Sequence, residues 1–308
     1  MIKVFGHISP DTDATCSAII WSWYIKNHTS LDAQPFVLGN PNKEALFVLK
    51  KWGFDVPEIL TDIENDQDVM IVDTNNPQEL PENIKNANIL SIVDHHRISG
   101  GIETKSPIDM TVRTFASTAS VIHHIISEKK TEIPENISGL ILSCILSDTL
   151  SFRSPTTTSY DKNIAEEIAR RLNINIEDYS NEMFDAKSDV SDFTDKGLIH
   201  LDSKKTAVGD KNFRVSVVET TNPKSILDRK DGIVSAIKEI IKEDGDIDDV
   251  LFFVVDILKE ESIVFTYNDF IKDIIHISFG GSKDGDTAIL PNIVSRKKQI
   301  IPMLKIPN

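Results

Sequence analysis

The chain is 308 residues long and acidic, with 33 Lys and Arg residues against 48 Asp and Glu residues and a formal net charge of −15. This balance argues against a nucleic-acid-binding protein, because binding by counterion release needs a basic face. No apolar run approaches the ~18 residues of a membrane span and the N-terminus lacks a signal-peptide pattern, so we expect a cytoplasmic protein with no membrane partner. Cys16 and Cys144 are too few for a disulfide scaffold, and we expect buried, reduced thiols.

The first part of the chain alternates short β-branched runs with helical patterns. The β-branched runs predict strands at Ile2–Gly6, Pro35–Leu38, Val69–Val72 and Ile89–Val93. The helical patterns predict helices at Ala14–Lys26, Lys43–Trp52, Ser120–Lys130, Asn136–Leu146 and Ser159–Leu172. Such alternation is typical of an α/β fold with a parallel sheet, which we predict for residues 1–188.

The sequence turns polar and loses its apolar period between Ala186 and Lys196. This change predicts a hinge over residues 189–195. The α/β pattern then restarts, with strands at Phe213–Val218, Val250–Ile257 and Ser262–Thr266 and a helix at Ser225–Lys242. We therefore predict a second, smaller α/β domain over residues 196–308, which agrees with the ~100–150 residues typical of a domain.

Asp and His residues directly follow four apolar runs of the first domain. They are His7, Asp11 and Asp13, then Asp73, then Asp94, His95 and His96, and finally Asp148. Ligands bind beyond the carboxyl ends of the strands in open α/β sheets, so these side chains can converge. Carboxylates and imidazoles without thiolates suit Mn²⁺, Co²⁺, Mg²⁺ or Zn²⁺. The pattern therefore predicts a metal site.

Each of these residues has an ordinary explanation when it is taken alone. Asp13 would cap the helix that begins beside it, His7 would be a core or loop histidine, and Asp73 and Asp148 would be turn or cap residues. Convergence of four such segments in one domain favours the metal site instead.

Spacing adds two expectations about the geometry of the site. Adjacent residues point to opposite sides of an extended backbone, so of His95 and His96 we expect one to bind metal and the other to face something else. Asp11 and Asp13, two residues apart, can point the same way and supply two neighbouring ions. The basic run Arg296–Lys298 would usually be a solvated face when taken alone.

Four motifs occur in a fixed order along the chain. They are G-H-x-x-P-D-x-D from Gly6 to Asp13, V-D at Asp73, V-D-H-H from Val93 to His96 and L-S-D-T from Leu146 to Thr149. This order resembles the DHH phosphoesterase superfamily, and in detail its family II, manganese-dependent inorganic pyrophosphatases. The stretch from Ser147 to Thr158 and the run from Ser295 to Gln299 extend the resemblance over nearly the whole chain.

The resemblance implies a DHH domain, a smaller C-terminal α/β domain and an active site in the cleft between them. It implies one metal bound by His7, Asp11 and Asp73, and a second bound by Asp13, Asp73, His95 and Asp148. Asp73 then bridges the two ions, and His96 faces the substrate. The family's basic substrate contacts fall on Lys204, Arg296 and Lys297. Ser9 departs from the pattern, since many members have Asn before the Pro of the first motif.

The implied activity is hydrolysis of pyrophosphate to two phosphates. Two Mn²⁺ ions per subunit, or Co²⁺ ions in their place, would lower the pKa of a water between them toward ~7, and the hydroxide would attack in line. The resemblance also implies Mg²⁺ arriving with the substrate and a homodimer formed through the first domain.

Three alternatives remain open from the sequence. An exopolyphosphatase has nearly the same chemical needs. A phosphodiesterase of the superfamily typically shows G-G-G-H in its second domain, whereas the nearest string here is Phe279-Gly280-Gly281-Ser282. A non-catalytic module that senses metal or phosphate is a different class, and the full set of ligands and cations argues against it.

Overall fold

A computed structural model describes residues 1–307 of the chain. The chain forms two compact units, Met1–Ala186 and Lys187 onward. The predicted hinge at 189–195 and the domain bounds on either side of it stay predictions. No helix among residues 1–307 is both long enough and apolar enough to cross a membrane.

The first unit contains a six-stranded, fully parallel sheet. Its strands are β1 (Ile2–Phe5), β2 (Ala33–Val37), β3 (Glu58–Ile59), β4 (Asp68–Val72), β5 (Asn88–Asp94) and β6 (Asp109–Val112). They lie in the order β3-β2-β1-β4-β5-β6. The chain order therefore reverses between β1 and β4, which is the switch point where open α/β sheets bind ligands.

Six helices complete the first unit. They are α1 (Thr12–His28), α2 (Lys43–Trp52), α3 (Thr118–Glu128), α4 (Glu135–Asp148), α5 (Ser159–Leu172) and α6 (Ile176–Lys187), with short 3₁₀ helices at Pro77–Glu79 and Ile84–Asn86. One core lies between the sheet and the helices and includes Ile20, Ile122 and Leu146. A smaller core covers the opposite face of the sheet around Phe5 and Ile71.

Gly6 lets β1 end directly against α1. A Cβ atom at this position would lie 2.7 Å from the Cβ of Ala14, a separation that side chains do not adopt. The glycine therefore allows the loop after β1 to run close to the first turn of α1. This close approach brings His7 and Asp13 to the same edge of the sheet.

The second unit contains a five-stranded mixed sheet in the order β11-β10-β9-β8-β7. Its strands are β7 (Ser203–Val208), β8 (Lys211–Thr220), β9 (Asp249–Asp256), β10 (Glu261–Phe265) and β11 (Thr287–Pro291). Its helices are α7 (Asp195–Leu201), α8 (Lys224–Leu227), α9 (Lys230–Asp244), α10 (Asp269–Phe279) and α11 (Ile301–Met303), the last preceded by a π-helical turn at Arg296–Ile300. Separate apolar cores lie on the two faces of this sheet.

The structure confirms the predicted fold class, a parallel-sheet α/β region followed by a smaller α/β region. One predicted element is wrong, since the helix expected at Ser225–Lys242 is divided into α8 and α9. The chain leaves the helical conformation at Arg229, where φ is −99° and ψ is 8°, and the Arg229 guanidinium binds the Asp195 carboxylate at 2.6 Å and the Phe193 carbonyl at 2.8 Å.

Candidate metal centre

His7, Asp11 and Asp73 form the first group of donor atoms. His7 follows β1, and its Nε2 lies 3.6 Å from Asp11 Oδ1 and 3.5 Å from Asp73 Oδ2. Asp11 is the N-cap of α1, where its Oδ1 accepts a hydrogen bond from the Ala14 amide at 3.0 Å. The donor atoms of the three ligand candidates all lie within 4.8 Å of one another.

Asp13, His95 and Asp148 form the second group, again within 4.8 Å of one another. Asp13 lies inside the first turn of α1 and Asp11 takes the N-cap position, so the alternative role of Asp13 as a helix cap is wrong. The Asp13 side chain is only 1% exposed and faces the start of α3, where two backbone amides donate to it. Asp148 is the last residue of α4.

Asp73 lies between the two groups. It directly follows β4, is 2% exposed and has a left-handed φ of 60°. One oxygen faces His7, and the other lies 3.4 Å from His95 Nε2. The Thr118 hydroxyl donates to the latter oxygen at 3.0 Å, which fixes the carboxylate between both histidines.

His95 and His96 do not point to opposite sides, contrary to the sequence expectation. Their ring centroids are 4.2 Å apart. The extended strand ends at Asp94, whose Oδ1 accepts hydrogen bonds from both following amides at 2.7 Å and 3.0 Å, so the backbone turns. The Nδ1–H of His96 donates to the same carboxylate at 2.9 Å, and a third donor group unites Asp73, His95 and His96.

Neighbouring carboxylates shift the pKa values of the imidazoles of His7 and His95. Burial disfavours a charged His7, but its hydrogen bonds to Asp11 and Asp73 outweigh burial and raise the pKa of His7 to about 11. His95 shows the same balance, in which Asp73 and Asp13 raise its pKa to about 9. These histidines in turn hold the pKa of Asp73 below its usual range, despite burial.

The pKa values of two other carboxylates, Asp13 and Asp148, shift in the opposite direction, upward. Burial and the charge of Asp73 raise the pKa of Asp13 to about 7. Burial and the charge of Asp13 raise the pKa of Asp148 well above its usual range. The cluster therefore holds more carboxylates than its two imidazoles neutralise. Divalent cations fit this mixed set of oxygen and nitrogen donors, because they supply the missing positive charge.

A cavity of about 610 Å³ opens onto these residues in the first unit. Besides the ligand candidates, its lining includes Arg97, Thr114, Phe115 and Thr156. None of these four was assigned a role from the sequence. Arg97 follows directly after the D-H-H run, and Thr156 lies within the stretch from Ser147 to Thr158 that extends the family resemblance.

The predicted substrate cations all lie in the second unit. Lys204 is exposed on β7, and Lys297 is exposed in the π-helical turn. Arg296 begins that turn, and its guanidinium binds the Asp202 carboxylate at 2.7 Å. Their roles toward a substrate stay predictions.

Known proteins resemble this chain over both units. The model of the DHH family N-terminal domain matches residues 1–147, and that of the DHHA2 domain matches residues 181–306. A probable manganese-dependent inorganic pyrophosphatase of Oceanobacillus iheyensis is 36% identical over 307 residues, covering 99% of this chain and 98% of the relative. One from Lactobacillus acidophilus is 34% identical, covering 98% and 96%.

The chain belongs to the family of the manganese-dependent inorganic pyrophosphatases. A crystal structure from Methanococcus jannaschii, assigned to the family II inorganic pyrophosphatases, agrees with this membership. It is 31% identical, has a TM-score of 0.64 and is covered over 98% of both chains. The family relationship therefore spans the donor groups of the first unit and the basic residues of the second.

Proposed function

We propose that this protein hydrolyses inorganic pyrophosphate to two phosphates with two divalent metal ions. The observation that carries the proposal is the pair of donor groups at the switch point of the sheet, with Asp73 a member of the first group and 3.4 Å from His95 of the second. Membership of the pyrophosphatase family supports the choice of substrate.

We assign one ion to His7, Asp11 and Asp73, and the other to Asp13, Asp73, His95 and Asp148. Mn²⁺ suits this set, for which Co²⁺ can substitute, and we propose that Mg²⁺ accompanies the substrate. Two bound ions would supply a water of lowered pKa and positive charge next to the phosphates. The carboxylates and imidazoles of these residues would hold the ions, and Thr118 holds Asp73 in place by a hydrogen bond of 3.0 Å.

His96 is the residue of the first unit that we assign to the substrate. Its Nδ1 is engaged by Asp94 at 2.9 Å, which leaves Nε2 to contact a phosphate oxygen. The hydrogen bond that His96 donates to Asp94 outweighs partial burial and raises the pKa of His96. A protonated His96 can therefore donate from Nε2 to the departing phosphate.

Lys204, Arg296 and Lys297 are the cations that we assign to the phosphate oxygens. The guanidinium of Arg296 can contact two oxygens at once, whereas each ammonium acts as a point charge. An active site between the two domains stays a prediction of the family resemblance.

The decisive experiment measures phosphate release from pyrophosphate, tripolyphosphate and a dinucleotide in parallel. We expect pyrophosphate to be the preferred substrate with Mn²⁺ present. Preference for tripolyphosphate would instead indicate an exopolyphosphatase, and preference for the dinucleotide a phosphodiesterase. Absence of release from all three substrates, with two ions bound, would favour a metal-binding sensor.

The same assay tests the choice of metal. Imidazole ligands favour Mn²⁺ and Co²⁺ over Mg²⁺. After chelation, we expect reloading with Mn²⁺ or Co²⁺ to give higher activity than reloading with Mg²⁺ alone. Equal activity with Mg²⁺ alone would contradict the assignment of His7 and His95 as ligands.

We further propose a homodimer formed through the first unit, acting in the cytoplasm. Strand β6 is the last strand of its sheet and pairs with β5 alone, so its other edge is available to a second copy. Met110 on this strand is 42% exposed. Light scattering should give twice the chain mass, and Met110→Lys should reduce it toward that of one chain.

A further inference from the structure

Asp161 carries a buried carboxylate that joins the start of α5 to the start of α3. We propose that Asp161 is a positioning residue for the second donor group, which consists of Asp13, His95 and Asp148. The inference rests on the two-metal site proposed above. It concerns how the chain holds that group and assigns Asp161 no contact with substrate or metal.

The Asp161 side chain is 0% exposed and accepts hydrogen bonds from four donor groups. Two belong to Thr158, whose amide and hydroxyl lie 2.9 Å and 2.5 Å from Oδ2; the bond from the amide is one half of the capping box of α5. The other two come from the start of α3, where the Ala116 amide lies 3.1 Å from Oδ2 and the Ser120 hydroxyl 2.6 Å from Oδ1. The capping box requires only the bond from the Thr158 amide, together with the bond that the Asp161 amide donates to the Thr158 hydroxyl.

The segment that Asp161 holds, residues 115–119, contacts two residues of the second donor group. The Phe115 carbonyl lies 3.2 Å from Nδ1 of His95, which orients the ring so that Nε2 faces Asp73. The amides of Thr118 and Ala119 donate to Asp13 at 2.5 Å and 3.1 Å.

The first donor group makes fewer hydrogen bonds to residues 115–119 than the second group does. Within residues 1–307, no hydrogen bond joins residues 115–119 to His7 or Asp11. The single shared contact is the Thr118 hydroxyl on Asp73. Loss of Asp161 should therefore disturb the second donor group more than the first.

The chemistry of the carboxylate explains why aspartate is needed. All four groups around it are donors, so in Asp161→Asn the buried amide nitrogen would face at least one N–H or O–H and leave that donor without an acceptor. Residues 115–119 would then shift to recover their hydrogen bonds. A shift of this kind moves His95 and Asp13 together, and loss of such supporting contacts typically costs about 10–100-fold in metal affinity.

The experiment uses Mn²⁺ titration of the full-length chain, followed by calorimetry and by the electron paramagnetic resonance signal of free Mn²⁺. Asp11→Asn and Asp148→Asn identify the binding step that belongs to each donor group. Asp161→Asn should raise the dissociation constant of the step that Asp148→Asn weakens, by about 10-fold or more. The step that Asp11→Asn weakens should change by less than about 3-fold.

Two hydroxyl deletions serve as a matched pair. Ser120→Ala and Thr158→Ala each remove one donor to Asp161, on the α3 side and the α5 side respectively. Both should lower the melting temperature, but only Ser120→Ala should weaken the Mn²⁺ binding step that belongs to the second donor group. This pair keeps the test decisive even where Asp161→Asn fails to fold.

Three results would overturn the inference. They are unchanged Mn²⁺ affinity in Ser120→Ala and Asp161→Asn, equal weakening of both binding steps, or the same loss in Thr158→Ala as in Ser120→Ala. All readouts are binding measurements, so they remain valid if pyrophosphate is not hydrolysed. Absence of two Mn²⁺ steps in the wild-type protein would instead refute the proposed function.

Discussion

Asp73 is the residue whose loss should remove the most metal. Its two oxygens face different histidines, His7 and His95, and the proposal places it on both ions. Asn tolerates the left-handed backbone at this position, where φ is 60°, so Asp73→Asn keeps the fold and removes the charge. We expect elemental analysis to find neither ion tightly bound in Asp73→Asn.

Asp11→Asn is the matched comparison for this prediction. Asp11 contacts His7 but belongs to one donor group only. The Asp11→Asn variant should therefore keep one tightly bound ion. Two ions retained in Asp73→Asn would show that Asp73 does not bridge them.

Ser9 stands in a backbone conformation that suits another residue. Its φ is 59°, in the left-handed region, where Asn is more stable than Ser. We expect Ser9→Asn to raise the free energy of unfolding by about 0.5 kcal/mol. Thermal denaturation of the full chain measures the effect, with Ser9→Ala as the control that should bring no gain. Equal melting temperatures for the two variants would contradict this explanation.

Residue chemistry near the site could be predicted from sequence, but side-chain direction could not. The residue types at His7, Asp13 and Asp73 indicated metal, and the structure brings them to one edge of the sheet. The side-chain directions predicted for His95 and His96 were wrong, because the actual directions depend on the Asp94 carboxylate, which turns the backbone after β5. No periodicity encodes such a contact.

At the level of elements, strong local signals gave accurate bounds. Helices α2 and α5 begin and end where the sequence predicted, because capping residues mark their ends. Strands β3 and β6 were not predicted, since they are two and four residues long and half-exposed or exposed. Their pairing comes from the neighbouring strand rather than from their own sequence.

His123 of α3 packs next to Tyr160 of α5, and its burial there should make the stability of the first unit depend on pH. Burial lowers the pKa of His123 to about 4, and the nearby charges of Glu167, Arg171 and His124 change it less. The unfolded chain binds this proton near pH ~6.5. Between these values the unfolded state binds more protons, so the free energy of unfolding falls as the pH decreases from about 6.5 to about 4.

The measurement compares wild type with His123→Gln at pH 7.5 and pH 5. On acidification, the free energy of unfolding of the wild type should fall by on the order of 1 kcal/mol more than that of His123→Gln. Taking the difference cancels the titration of the metal-ligand candidates, which both proteins share. His200→Gln changes an exposed histidine and should behave as wild type. If the free energy of unfolding of His123→Gln changed with pH as steeply as that of the wild type, His123 would not be the responsible group.

Over the whole molecule, the charge of the chain opposes its proposed substrate. The formal net charge is −15, and pyrophosphate is itself an anion. Binding therefore needs local positive charge, which our proposal assigns to bound ions and to a few cations of the second unit. This division predicts that the two functions, metal binding and phosphate binding, can be separated by mutation.

Arg296→Ala and Lys297→Ala should keep metal affinity and fold while they lose catalysis. Neither residue belongs to a donor group in the first unit. We expect a rate loss of about 10²–10³-fold for each, because each change removes one preorganised charge that stabilises the transition state. Steady-state phosphate release and Mn²⁺ titration, measured on the same samples, test the two halves of this prediction.

Two further variants make the Arg296 prediction specific. Arg296→Lys should recover only part of the rate, because an ammonium lacks the two-pronged geometry with which a guanidinium contacts two oxygens. Lys298 is exposed next to Lys297, so Lys298→Ala removes the same charge from the same turn and should be nearly silent. If Arg296→Ala left the rate of phosphate release unchanged and Lys298→Ala lowered it, the substrate contacts would lie one or two positions away from those assigned by the family motif.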